Sequence, residues 1–230
     1  MSLIFDAKHL PEPSPEYIAW VDVMGTQASM SRSLAMCANF IFKLHTAALN
    51  APTKGVTLYP VMDGFYASSA DKGGMLDFLR SVFQQVAREF NREKAEHYRF
   101  LIKGALAFGP VIHGSTVPAE ASKTIAKFPS YRDSLLLGLP MVQAHIGERS
   151  APPFGVFVHE SARSFSSPGQ TPIHNVWWKW KDKKNDPTWT DLEKNLIGHL
   201  EWCLERAGEI EYAPDRIQAH REMVQQYFAQ

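Results

Sequence analysis

The chain has 230 residues, 45% of them hydrophobic, with 24 basic and 24 acidic side chains and so no formal net charge. That is apolar material enough for one domain with a sizeable core and room for an appendage, and it excludes the disordered and fibrous classes. The balanced charge gives no general attraction to nucleic acid or to an anionic membrane.

In chain order, a proline-rich lead-in at residues 11–15 gives way to EYIAWVDVMG, an apolar strand-like run that stops at Gly25. Across residues 26–50, Met30, Leu34, Cys37, Ile41, Leu44 and Ala48 recur at three- and four-residue steps, which predicts one helix with one buried stripe. The runs TLYPVM and FYASSA flank Asp63-Gly64, a strong hairpin signal. Leu79, Val82, Phe83, Val86 and Phe90 mark a second helix, and FLIKGALAFGPVIHG a long strand after it. Residues 115–133 read as an irregular loop, 135–147 as a helix with Pro140 near its start, and GVFVHES as a strand. The tail holds the aromatic run HNVWWKW, a lysine-rich turn, and helices over 190–207 and 214–228.

This order predicts an α+β fold in two layers. Helices cover one face of a mainly antiparallel sheet, close to the split βαβ, ferredoxin-like topology. The expected organisation is a lead-in at 1–15, a catalytic core at 16–165, and a C-terminal strand and helices packed on that core at 166–230. Cys37 and Cys203 lie far apart inside apolar patterns and fit buried thiols of a reduced, cytosolic protein. No stretch approaches the ~20 apolar residues of a membrane span, and no signal peptide precedes the first strand. The expectation is a soluble, cytoplasmic protein with neither nucleic-acid nor membrane partner.

Asp22 inside the first strand run and Asp63 at the hairpin are each ordinary alone, one a possible helix cap and the other a common turn residue. In a strand–helix–hairpin unit, however, strand and hairpin can lie side by side. Their carboxylates would then converge, and two carboxylates plus substrate phosphates suit Mg²⁺ or Mn²⁺. Gly25-Thr26 opens the following helix, whose free backbone N–H groups would face the same place as a phosphate cradle. Lys103, alone in an apolar strand, reads either as a solvated strand charge or as one that has a partner such as phosphate or carboxylate. His113 and His159 fall near strand ends with no second histidine at metal-ligand spacing, and read as ordinary satisfied histidines.

Three motifs in this order resemble those of the class III nucleotidyl cyclases. DVMGT at residues 22–26 is similar to their D-I-x-G-F-T, YPVMDGF at 59–65 to K-x-x-G-D-x-F, and KGALAFG at 103–109 to R-x-G-x-H-x-G. The resemblance spans roughly residues 16–165. Departures are informative: Tyr59 stands where purine cyclases have a base-selecting lysine, and Leu139 falls near their base-selecting aspartate. Gln143 and His145 are the nearest polar residues to the family's transition-state asparagine and arginine. Tyrosine for lysine, with the GALAFGPVIHG run, resembles the pyrimidine cyclases of bacterial Pycsar anti-phage systems, which make cyclic UMP or cyclic CMP.

The resemblance implies catalytic roles for Asp22, Asp63 and Lys103, two Mn²⁺ or Mg²⁺ ions held by Asp22, Val23 and Asp63, and substrate binding by Tyr59, Gly25, Thr26 and Lys103. It further implies a nucleoside triphosphate substrate (UTP ahead of CTP), a head-to-tail homodimer and a separate effector that reads the product. A phenol at position 59 can fill the space of a purine's second ring and offer its hydroxyl to a base edge; as a β-former it can equally place its ring in the core. Arg149 and the tail lysines Lys179 and Lys181 are candidates for the missing phosphate-facing cations. A cyclase-like domain that binds nucleotides or pairs with another protein without turnover is a second reading, and a purine cyclase, disfavoured by Tyr59 and Leu139, a third.

Overall fold

The computed structural model describes residues 4–181 and 186–229. The lysine-rich turn of the tail falls on residues 182–185, outside them. β1 (Ser14–Val23) runs through the middle of the sheet, pairing antiparallel with β3 (Gly64–Ser69) on one side and β4 (Ile102–His113) on the other. β2 (Thr57–Val61) lies outside β3, and β5 (Leu136–Leu137) pairs with the end of β4. β6 (Val156–Val158) lies parallel to β4, with β7 (Trp177–Trp178) at the far edge, so the order is β2-β3-β1-β4-β6-β7. The expected α+β architecture is present.

The helices are α1 (Thr26–Arg32), α2 (Leu34–Asn50), α3 (Lys72–Arg92), α4 (Lys123–Ala126), α5 (Pro129–Asp133), α6 (Leu139–Gly147), α7 (Glu160–Ser164), α8 (Pro187–Glu205) and α9 (Pro214–Ala229). Side chains alternate across β1 with the period of two that a strand imposes. Tyr17, Ala19, Val21 and Val23 join a large core with residues of α2, α3 and α8, while Ile18 and Trp20 join a smaller cluster with Ala107, Val111 and Ala144 of α6. Helices therefore cover both faces, not one as expected: α6 is the crossover that the parallel β4–β6 pair requires. That is why YIAWV is apolar at every position and not at alternate ones.

Three boundaries differ from the sequence reading. The helix expected over 26–50 is two, because Ser33 leaves helical geometry (φ −156°, ψ 104°) and caps α2 by accepting from the Met36 N–H at 3.2 Å. The helix expected from residue 135 starts at Leu139. Residues 136 and 137 instead extend the sheet, and at Gly138 a Cβ would lie 2.7 Å from the Pro110 carbonyl oxygen. The strand expected over 155–161 stops at Val158, and His159 caps α7 with Nδ1 accepting from the Ser161 N–H at 3.1 Å. The loop at 115–133 contains α4 and α5.

The tail forms β7, α8 and α9. Asp186 caps α8, Trp180 is fully buried with its indole N–H on the Phe154 carbonyl at 2.8 Å, and the Tyr227 hydroxyl reaches the Trp178 carbonyl at 2.9 Å. Both cysteines are buried free thiols. Among the described residues no helix is long and apolar enough to cross a membrane.

Candidate active site

β-sheet register brings the predicted residues together. Asp22 pairs directly with Gly64 on β3 and with Lys103 on β4, so a carboxylate, the hairpin turn and an ammonium share one row of the sheet. The alternation that turns Trp20 toward α6 turns Asp22 and Lys103 the same way. Asp63 occupies the Met62-Asp63 turn immediately before Gly64. Close approach makes glycine necessary there: a Cβ on Gly64 would stand 2.4 Å from the Val21 carbonyl oxygen. Met62 takes a left-handed conformation (φ 48°) to close this turn.

Asp22 carries the strongest electrostatic signature of the row. Burial pushes its pKa up to about 7, with the Asp63 and Glu148 carboxylates adding to it, against the Val23 N–H and Lys103, which pull it down. Its Oδ1 is buried with no hydrogen-bond partner. Such an oxygen, repelled by a neighbouring carboxylate, is the donor that a divalent cation satisfies. Among the described residues no group of three or more His, Cys, Asp and Glu could hold a metal ion. Asp22 and Asp63, whose charges act on each other, are the two carboxylates that could take Mg²⁺ or Mn²⁺ together with substrate phosphates.

Asp63 accepts a short hydrogen bond from the Thr26 hydroxyl. Gly25 precedes α1 in the left-handed region (φ 72°, ψ 26°), a conformation glycine takes at no steric cost, and its side-chain-free Cα faces open space. The seven residues of α1 make its N-terminus a weaker cradle than the long helix expected here. Lys103, 6% exposed, pairs with Glu148 in the single turn after α6, Nζ to Oε1 at 3.1 Å. The expected partner of that lysine is present as a carboxylate. Glu148 is the site residue the sequence reading missed; the acid of GERS directly after the α6 pattern was its signal.

Tyr59 lies in the smaller core cluster, 4% exposed, with its hydroxyl bonded to His113 Nδ1. His113 Nε2 meets Glu16 Oε1 at 2.9 Å, and Glu16 also accepts from the Ser14 hydroxyl at 2.8 Å and from Ser68. Burial pushes the Glu16 carboxyl up, but the bonds from Ser68, His113 and Ser14 outweigh it and leave the pKa below the ordinary value. The tyrosine phenol moves up to about 12, through burial first and then the Glu16 and Asp133 charges. Both histidines singled out in the sequence are hydrogen-bonded within the protein.

Leu139 is 64% exposed at the start of α6, Gln143 is half-buried, and His145 stacks edge-on against Trp20. Arg149 is exposed one residue beyond Glu148. The Lys179 ammonium sits over the rings of Tyr227 and Trp189 at 5.5 and 5.9 Å, and that of Lys181 over Trp189 at 5.3 Å. These two lysines follow the edge strand β7, whereas the Asp22 row is centred on β1.

The architecture is the class III nucleotidyl cyclase fold. A bacterial light-regulated adenylyl cyclase superposes with a TM-score of 0.50 at 12% identity, over 66% of this chain and 46% of that one. The guanylyl cyclase domain of the RhoGC fusion protein of the fungus Blastocladiella emersonii gives 0.49 at 16% identity, over 66% and 85% of the two chains. The guanylate cyclase domain of RhGC from Catenaria anguillulae, solved with GTP, gives 0.44 at 12% identity, over 66% and 81%. No protein-family model matches the chain, and no curated protein matches it in sequence.

Proposed function

We propose that this protein is a pyrimidine nucleotide cyclase that converts UTP to 3′,5′-cyclic UMP and pyrophosphate, with CTP to cyclic CMP as the nearest alternative. The carrying observation is the row in which Asp22, the Asp63 turn and Lys103 meet on one end of a cyclase-type sheet. A cation held by Asp22, Asp63 and the main chain of Val23 would lower the pKa of the ribose 3′-hydroxyl and neutralise the triphosphate. The chain's own residues hold the nucleotide around that centre. Thr26 and Gly25 border the phosphates, and Thr26 keeps Asp63 oriented. Lys103 offers its ammonium to charge that builds on the departing pyrophosphate as the 3′-oxygen attacks the α-phosphorus in line.

In this reading the working unit is a head-to-tail homodimer, and Tyr59, whose ring lies in the smaller core with its hydroxyl on His113, would have to give up that bond to meet the base bound at its partner's aspartates. The outer face of α6 supports it: Leu139, Val142 and Ile146, at helical spacing, are each more than half exposed together with Leu137. Cyclic UMP would then be the signal of a Pycsar-type anti-phage system, read by a separate effector. The same face also favours a second reading, nucleotide binding without turnover, since no cation on it matches the family's transition-state arginine.

Incubating the purified protein with Mn²⁺ and each of ATP, GTP, CTP and UTP separates these readings. Cyclic UMP with stoichiometric pyrophosphate is the expected result. Cyclic CMP alone selects the alternative, turnover of ATP or GTP removes the pyrimidine assignment, and no turnover with any nucleotide removes the enzyme.

A further inference from the structure

Glu148 has no part in the chemistry described so far, yet it is the direct partner of Lys103. Its side chain is 10% exposed and that of Lys103 8%, at a separation of 3.1 Å. A carboxylate and an ammonium withdrawn from water this far each need an opposite charge in contact, or the buried charge goes uncompensated. Three elements converge to make the pair: β4 carries the lysine, β1 holds Asp22 directly opposite it, and the end of α6 delivers the glutamate. The lysine's ion pair is with Glu148, not with the closer-paired Asp22, whose Oδ1 stays unpartnered.

An ammonium has three N–H donors and no preferred plane on a flexible stem. Where its charge lies is therefore decided by what it touches. One contact to Glu148 spends one donor and leaves two for a second acceptor. The same contact draws the ammonium toward α6, which keeps Asp22 free of a lysine that would otherwise cap it.

We infer that Glu148 is a positioning residue. It anchors Lys103 at one N–H so that the remaining two face a phosphate group at the Asp22–Asp63 row. The inference rests on the cyclase reading for the identity of that phosphate. It adds a residue that acts through Lys103 and touches no substrate itself.

The test is a double-mutant cycle on Glu148→Gln and Lys103→Gln. It is read by kcat and KM for UTP with Mn²⁺, and separately by calorimetric binding of inorganic pyrophosphate with Mn²⁺. Glu148→Gln is expected to lower kcat ten- to a hundredfold and to weaken pyrophosphate binding about tenfold. In the Lys103→Gln background it is expected to add less than a twofold effect on either. Glu148→Asp keeps the charge and with it the folded state, but stands one carbon short, so it should lose at least threefold in pyrophosphate affinity with its melting temperature near that of the parent. Parental pyrophosphate affinity in Glu148→Asp, or equal effects of Glu148→Gln with and without Lys103, overturns the inference. A parent protein that binds pyrophosphate with this coupling and turns over no nucleotide instead overturns the cyclase reading alone.

Discussion

Two clusters of buried titratable groups stand on the same fold and differ in one respect. In the tail, Cys203 Sγ lies 3.6 Å from His199 Nε2, His199 Nδ1 lies 2.8 Å from Glu96 Oε2, and Arg99 closes the chain on Glu96 at 2.5 Å. Thiol, imidazole and carboxylate stand in the order of a nucleophilic triad. Yet the thiol is 3% exposed, and burial, helped by the Glu96 charge, pushes it up to about 12. With its thiol held protonated at neutral pH, the cluster ties α8 to the turn at Glu96–Tyr98 through the His199–Glu96 contact. In the Asp22 row the carboxylate is also buried, but one oxygen has no partner and like charges crowd it. Order of residue types alone does not mark a site; the unpartnered oxygen of Asp22 is what sets that row apart.

The comparison breaks most sharply at Asp63. Asp63→Asn keeps the turn, since asparagine suits it as well as aspartate. It should nevertheless lower kcat by about a thousandfold, the several kcal/mol of charge stabilisation that a metal ligand carries. Pyrophosphate release from UTP with Mn²⁺ reads it, and full activity would remove Asp63 from the site. Second in size is Asp22→Asn in the metal-free protein. Asp22 binds its proton more tightly folded, near pH 7, than unfolded, near 3.8. The native state therefore holds more protons than the unfolded one between those values, and stability falls as pH rises through that window. Asp22→Asn should raise stability by up to about 4 kcal/mol at pH 8 and leave it nearly unchanged at pH 4. Urea unfolding at the two pH values measures it, and Mn²⁺ should stabilise the parent at pH 8 more than the variant.

His199→Ala probes the other cluster. It removes one of the two partners of Glu96, which keeps Arg99, and should cost about 1–2 kcal/mol in urea unfolding, with kcat per folded molecule unchanged. Any matching loss of kcat would mean that the cluster belongs to the site. The smallest effect expected is that of Tyr59→Phe on stability, about 1 kcal/mol, because it leaves His113 Nδ1 without its donor. The same variant, assayed on UTP against CTP, reads whether the hydroxyl meets the base.

Much of the fold was legible in the chain, and so was the choice of candidate residues. Asp63-Gly64 announced a turn, the helical stripe of α3 was regular, and Asp22, Asp63 and Lys103 recurred at the positions of a known motif set. What stayed hidden depends on partners that residue type alone does not name, one of them local and the others distant in sequence. Ser33 reads as one more polar helix residue until its side chain is seen holding the Met36 N–H. Residues 136 and 137 suit a helix or a strand equally, and only pairing with Ile112 and His113 decides. Glu148 lies 45 positions after Lys103 by number, and no local pattern links a strand lysine to the acid after a crossover helix.

The direct opposition of Asp22 and Lys103 on neighbouring strands also bears on how the sheet assembles. A slip of β1 by one residue would turn Asp22 into the large core among Phe83 and Ile102 and leave Val21 in its place on the other face. An unpaired carboxylate in that core is too costly to persist. The charges that would serve the nucleotide thus act earlier as a proofreader of strand alignment. A chain that has paired β1 and β4 wrongly cannot settle, and one that has settled already has Asp22 opposite Lys103.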